Sequence, residues 1–419
     1  MRPSAHGVRI DGRRLRARLD DLGEVSPIPG GGSCRLALTD EDRDGRDLVR
    51  SWMVDLGLRV EVDGIGNMIA TWECGDGDPV MTGSHIDTVR TGGRYDGNYG
   101  VLAGLEVIET LMTAGLTPSR PLSVVVFTNE EGARFQPDML GSLVYVGGMG
   151  IEEALDTVAI DGARLGDELT RIGYDGAGPV PGPAPHAFVE LHIEQGPLLE
   201  AEGFPIGAVD GVQGISWQEL TIRGQSNHAG TTPMRLRHDP AYVAAAITVF
   251  LRELATEMGG NQVCTVGKID LAPNLINVVP ATAVMTVDVR NTDETLLRVA
   301  EKRVERFLAE LREREGVTIE SRRLARFEPV VFDDRVVDLI ETIAVEHGHA
   351  VKRMPSGAGH DAQMLARVCP AAMIFVPSHL GISHNAAEHT DDADLVAGAN
   401  VLLDTMWTLA ETTWKKESA

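Results

Sequence analysis

The chain has 419 residues, 43% of them apolar and 24% charged, with Asp+Glu 62 against Lys+Arg 38 and a net charge of -24. That length favours two domains over one and supplies ample apolar material for a core. The acidity argues against nucleic acid as a partner, and no apolar run approaches the length of a membrane span.

The opening segment Met1-Arg2-Pro3-Ser4-Ala5-His6 has no apolar leader core. Cys34, Cys74, Cys264 and Cys369 lie far apart and form no C-x-x-C pair, which argues against a zinc–cysteine site and a disulfide framework. The expectation is a reduced, cytoplasmic protein.

In chain order, Thr39 to Leu58 begins with a cap-type threonine and carries Leu48, Val49, Trp52, Met53 and Leu56 at helical spacing. Strands are predicted over Asn67 to Thr71 and Pro79 to Thr82, the second running straight into His85. Val101 to Met112 shows one apolar helical face. Leu122 to Phe127 is a β-branched run of the kind that forms a buried strand, and it ends at Glu130-Glu131. Ala187 to Leu191 and Ala371 to Val376 repeat that pattern, each with a polar motif just beyond. Strands alternating with helices predict an α/β sheet whose carboxyl edge carries the ligands.

The middle of the chain reads differently. Trp217 to Arg223, Val263 to Asp270, Ala281 to Arg290 and Val317 to Arg322 are strand candidates. Helices are predicted from the Asp239-Pro240 cap to about Met258, and over Asp293 to Arg314. The order β-α-β-β-α-β is ferredoxin-like. The expected organisation is therefore an inserted α+β domain at 212–327 within a discontinuous first domain, 1–211 and 328–419. Gly176 to Pro185 is expected to be a surface loop.

Five polar segments fall at or just beyond predicted strand ends: Gly83-Ser84-His85-Ile86-Asp87-Thr88, Gly93-Arg94-Tyr95-Asp96-Gly97, Thr128-Asn129-Glu130-Glu131-Gly132, Glu190-Leu191-His192-Ile193-Glu194-Gln195-Gly196 and Gly381-Ile382-Ser383-His384-Asn385. One histidine beside a strand end is commonly structural, and an acidic pair after a strand is commonly a solvated turn. Several such ends together, flanked by glycines that permit tight turns, form a mixed imidazole–carboxylate set suited to Zn²⁺, Mn²⁺ or similar ions. Adjacent side chains on a strand diverge, so either Glu130 or Glu131 could be the ligand.

With Asn227-His228-Ala229-Gly230-Thr231-Thr232-Pro233-Met234 and Ser356-Gly357-Ala358-Gly359-His360-Asp361, these motifs follow in the order of the M20 metallopeptidase-like amidohydrolases. The chain is similar to them from about residue 7 to residue 410. The likeness is greater to the branch that holds N-carbamoyl-L-amino acid hydrolases, β-ureidopropionases and allantoate amidohydrolases.

The resemblance implies a mixed-sheet α/β dinuclear metallohydrolase domain with an inserted ferredoxin-like lid and dimerisation domain. It implies two divalent ions, Zn²⁺ or Mn²⁺, with Co²⁺ and Ni²⁺ also suited to the ligands. His85 and His192 would hold one ion, Glu131 and His384 the other, and Asp96 would bridge them. Asp87 would orient the His85 imidazole. Glu130 would be the general base. His228 would donate to the oxyanion, in related proteins from the other subunit, which implies a homodimer. Arg290 would bind a substrate carboxylate bidentately beside Asn277, and Gln195 and Gly359 would contact the ureido group. The implied reaction releases an L-amino acid, CO₂ and ammonia from a small N-carbamoyl-L-amino acid. Allantoate, N-carbamoyl-β-alanine and N-acyl amino acids are the alternatives within the branch, and a catalytically silent binding protein is the alternative from another class. Gln213-Gly214-Ile215-Ser216-Trp217 lacks the arginine pair expected of allantoate enzymes, and Ser378-His379-Leu380 sets an imidazole where the family gives no expectation.

Overall fold

The structure is a computed structural model that describes residues 7–412, so the Met1–His6 segment lies outside the described residues. Gly211–Val330 forms one compact unit, and the described residues on either side of it form another.

The discontinuous unit is built on a mixed sheet with the strand order Arg59–Val62, Met68–Trp72, Leu122–Phe127, Val80–His85, Ala187–Ile193, Ala371–Val376, Ile206–Val212. Val80–His85 runs parallel to both Leu122–Phe127 and Ala187–Ile193, and Ala371–Val376 runs parallel to Ala187–Ile193. These four strands are buried along their whole length, as continuous apolar runs covered on both faces must be. The register sets His85 opposite Phe127 and His192 opposite Phe375. Parallel pairing therefore brings the polar ends of these strands to one edge.

Helices cover this sheet. Asn98–Thr113 packs on Val80–His85 and on Asp392–Glu411, and the Tyr99 hydroxyl donates to the Leu395 carbonyl at 2.6 Å. Asp40–Asp55 starts from Thr39, whose side chain accepts the Asp42 N–H. Its Arg46 is fully buried. Arg46 donates to Asp42 Oδ2 at 2.9 Å, to the Gly66 carbonyl at 2.8 Å and to Thr128 Oγ1 at 3.3 Å, so it ties this helix to the turn that carries Glu130 and Glu131. Arg46→Met would leave the fully buried Asp42 carboxylate without its cation. The expected cost is ~3–5 kcal/mol, read by urea denaturation of the metal-free protein.

In the Gly211–Val330 unit the antiparallel sheet has the order Ile269–Ala272, Thr282–Asn291, Gly214–Arg223, Thr318–Phe327, with Val263–Thr265 also on Thr282–Asn291. Burial alternates along Thr282–Asn291. Its inward face meets Pro240–Met258 and Glu294–Glu315, capped by Asp239 and Asp293 respectively, over a core that includes Leu220, Ile222, Ile247, Leu251, Val304 and Leu308. The single strand expected over Val263 to Asp270 is instead two, Val263–Thr265 and Ile269–Ala272. Gly267, between them, has no side chain to pack and weakens the ladder there.

Candidate metal centre

His85 is the last residue of its strand, and His192 is the penultimate residue of its own. Glu130 and Glu131 sit in the turn after Phe127, and Asp96 sits in the turn before the Asn98–Thr113 helix. His384 lies on the loop before the Asp392–Glu411 helix. Gln195 and His384 both take a left-handed backbone, with φ of 58° and 53°. That costs energy for non-glycine residues and is commonly found at binding sites.

Three imidazoles face the Asp96 carboxylate: His192 Nε2 is 3.2 Å and His85 Nε2 3.6 Å from Oδ1, and His384 Nε2 is 3.2 Å from Oδ2. His384 Nε2 is also 3.3 Å from Glu131 Oε2. Two ligand groups result, His85/Asp96/His192 and Asp96/Glu131/His384, each with its donor atoms within 4.8 Å of one another. Asp96 belongs to both. A third convergence, Glu190/His192/His360, is already engaged: Glu190 accepts from Ser84 Oγ at 2.7 Å and from the Ala362 N–H at 2.8 Å, and His360 Nε2 meets Ser356 Oγ at 2.9 Å.

The hydrogen bonds fit this cluster to a cation. His85 Nδ1 lies 2.9 Å from the Asp87 carbonyl and His192 Nδ1 2.8 Å from the Ile193 carbonyl. A carbonyl only accepts, so each Nδ1 carries the proton; His85 Nε2 offers a lone pair or a second proton towards Asp96, and His192 Nε2 accepts the Gly97 N–H at 3.1 Å. Burial pushes the Glu131 carboxyl up to about 8, with Asp96 adding to it. Burial also drives Glu130 well above the usual carboxylate range; His85 opposes this, and Asp361, Glu131 and Asp96 reinforce it. Crowded buried carboxylates gathered with three imidazoles are a donor set that suits a divalent cation.

Glu130 is in neither ligand group; its Oε2 is 3.4 Å from His85 Nε2. Asp87 meets the His85 ring through its main-chain carbonyl, and its carboxylate is 3.8 Å from the ring's Nδ1. The carboxylate accepts the Glu130 and Glu131 N–H groups at 3.2 and 3.3 Å instead, because the sheet brings that turn beside it. Gln195 donates to Asp96 Oδ2 at 2.9 Å. Gly359 precedes His360, whose ring lies 4.6 Å from that of His192.

Gly97, with φ of 65°, sits against the His85 ring; a Cβ there would come within 2.5 Å of three ring atoms. Gly97→Ala is expected to lower stability by more than ~1 kcal/mol and to weaken metal binding by pushing His85 aside. Calorimetric titration of the stripped protein with Zn²⁺ measures both the affinity and the stoichiometry.

His228, Asn277 and Arg290 lie on the Gly211–Val330 unit. His228 pairs with Val278 in a short two-stranded ladder, and just beyond it the Ala229 N–H donates to the Asn277 carbonyl at 2.9 Å. His228 is exposed, and its Nδ1 accepts from the Gly230 and Thr231 N–H groups at 3.1 and 3.2 Å. The ring proton is therefore on Nε2. Arg290 pairs with Asp288 at 2.9 Å and lies 5.5 Å from the Trp217 ring centroid. Glu388 and Ser383, both close to Asp96, were not singled out from the sequence. Only the spacing of Glu388, four residues after His384 in Ser383-His384-Asn385-Ala386-Ala387-Glu388, could have marked it.

Residues 81–408 match the family model of Peptidase family M20/M25/M40. The chain is 40% identical to an N-carbamoyl-L-amino-acid amidohydrolase of Rhizobium meliloti, covering 96% of this chain and 97% of that protein. It is also 40% identical to an N-carbamoyl-L-amino acid amidohydrolase of Geobacillus stearothermophilus, with coverage of 96% and 99%. Among solved structures, a hydantoinase/carbamoylase family amidase from Burkholderia multivorans superposes with a TM-score of 0.94 at 41% identity, over 97% of this chain and 99% of that one. The clustered ligands and this likeness along almost the whole chain lead to one conclusion: the protein belongs to Peptidase family M20/M25/M40, on its amidohydrolase side.

Proposed function

We propose that the protein hydrolyses the carbamoyl C–N bond of N-carbamoyl-L-amino acids, releasing the L-amino acid, CO₂ and ammonia. The observation that carries this reading is the meeting of two ligand groups on Asp96, with Glu130 beside them and outside both. His85 and His192 would hold one ion and Glu131 and His384 the other, with Asp96 shared. Bound divalent cations, with Zn²⁺ or Mn²⁺ as first candidates and Co²⁺ or Ni²⁺ as further ones, lower the pKa of water and polarise a carbonyl oxygen.

The chain's own residues do the rest. Glu130 takes the proton from the attacking water and returns it to the leaving nitrogen. His228 presents its Nε2–H to the oxygen that becomes negative as water adds. Arg290, with Asn277 beside it in role, binds the substrate α-carboxylate, and Gln195 and Gly359 contact the ureido group. The Gly211–Val330 unit acts as lid and dimerisation domain of a homodimer, so its closure belongs to catalysis.

A turnover screen of the stripped protein reloaded separately with each of these ions tests the reading. The panel holds N-carbamoyl-L-amino acids, N-carbamoyl-β-alanine, allantoate and N-acyl amino acids. Highest kcat/KM on an N-carbamoyl-L-amino acid is the expected result. Turnover confined to the acyl or allantoate substrates would overturn it.

A further inference from the structure

Glu388 is 7% exposed and lies outside both ligand groups. Its Oε1 accepts the Tyr95 N–H at 2.9 Å and the Asp96 N–H at 3.2 Å, and its Oε2 accepts from Ser383 Oγ at 3.0 Å. Ser383 Oγ in turn is 3.4 Å from Asp96 Oδ2 and 3.3 Å from Gln195 Nε2. A second feature shows that the chain is built around this carboxylate. A Cβ on Gly93 would fall 2.0 Å from Glu388 Oε1 and 2.1 Å from its Cδ, so only glycine there lets Glu388 reach the Asp96 turn.

The two ligand groups depend on this contact unequally. His85 and His192 belong to buried strands of the sheet, which fix them without Glu388. His384 belongs to an irregular loop, is half exposed and has a left-handed backbone. Glu388 and Ser383 tie that loop to the Asp96 turn by hydrogen bonds.

We infer that Glu388 is a positioning residue that clamps the Asp96 turn to the Ser383-His384 loop, and so sets the affinity of the cation held by Asp96, Glu131 and His384. This rests on the two-cation reading above. The clamp needs acceptors for two main-chain N–H groups, and a glutamine oxygen supplies these. The glutamine NH₂ then donates to Ser383 Oγ, leaving the Ser383 hydroxyl proton for Asp96.

The test is a titration of the chelator-stripped full-length protein with Co²⁺, followed by calorimetry and by the visible absorption of the bound ion. The unsubstituted protein should bind two ions. Glu388→Ala should weaken one step ~10–100-fold and the other, which shares Asp96 but is otherwise held by the strand-borne His85 and His192, by a smaller factor. Gly93→Ala, which displaces Glu388 without removing it, should reproduce the unequal loss. Glu388→Gln should restore both steps, which a merely structural loss would not predict. If Glu388→Ala is unfolded by circular dichroism, Gly93→Ala carries the test by itself. Two unchanged steps in Glu388→Ala or Gly93→Ala would overturn the inference, as would a Glu388→Gln variant as weak as the alanine one. Fewer than two ions on the unsubstituted protein would instead overturn the two-cation reading on which the inference rests.

Discussion

Glu130→Gln is expected to lower kcat by ~10²–10⁴ while metal content and KM stay near their original values. Glutamine keeps the shape of the side chain and the main-chain N–H that Asp87 holds at 3.2 Å, so the turn should not move. It removes a buried carboxylate that belongs to neither ligand group although its Oε2 lies 3.4 Å from His85 Nε2. That place beside the ligands suits a group that must take a proton from water and return it. Elemental analysis beside steady-state kinetics separates the roles. Loss of metal with loss of rate would make Glu130 a ligand, and retained turnover would refute its role as base.

Asp96→Ala is expected to abolish turnover and to remove both ions, because Asp96 is the only residue common to the two ligand groups. Its oxygens face three imidazoles at 3.2 to 3.6 Å, and alanine leaves each ion a partial set. Stability gives a readout that needs no substrate. A ligand that binds only the folded state stabilises it by ~2.7 kcal/mol at a concentration 100 times its Kd. Added Zn²⁺ should therefore raise the melting temperature of the unsubstituted protein and leave that of Asp96→Ala unmoved. A variant that still gains stability from Zn²⁺ would show that the histidines hold the ion without the shared carboxylate.

Local pattern made much of the architecture legible in the sequence. Leu122–Phe127 and Ala371–Val376 appear as the strands read from their β-branched and apolar runs. The Asp239-Pro240 cap opens a helix that ends at Met258. The helix Asp392–Glu411 was not assigned from the sequence, although it is among the most buried elements. Buried around much of its circumference, it lacks the polar stripe that marks an amphipathic helix. The break at Gly267 also escaped, because an exposed strand carries little alternation to interrupt.

The sequence by itself determined the donor types and where they occur: a histidine, an aspartate or a glutamate near each polar turn, with glycines beside them. Only the tertiary structure decided their roles. Parallel pairing brings His85, Glu131 and His192 to one edge, and the Asp96 and His384 loops close on it from distant parts of the chain. It also gives the Asp87 carboxylate to the Glu130-Glu131 turn and Glu388 to the Asp96 turn. Spacing along a strand records which side chains share a face. Which main-chain N–H a remote carboxylate will find depends on how strands and loops pack in three dimensions, and no local pattern encodes that.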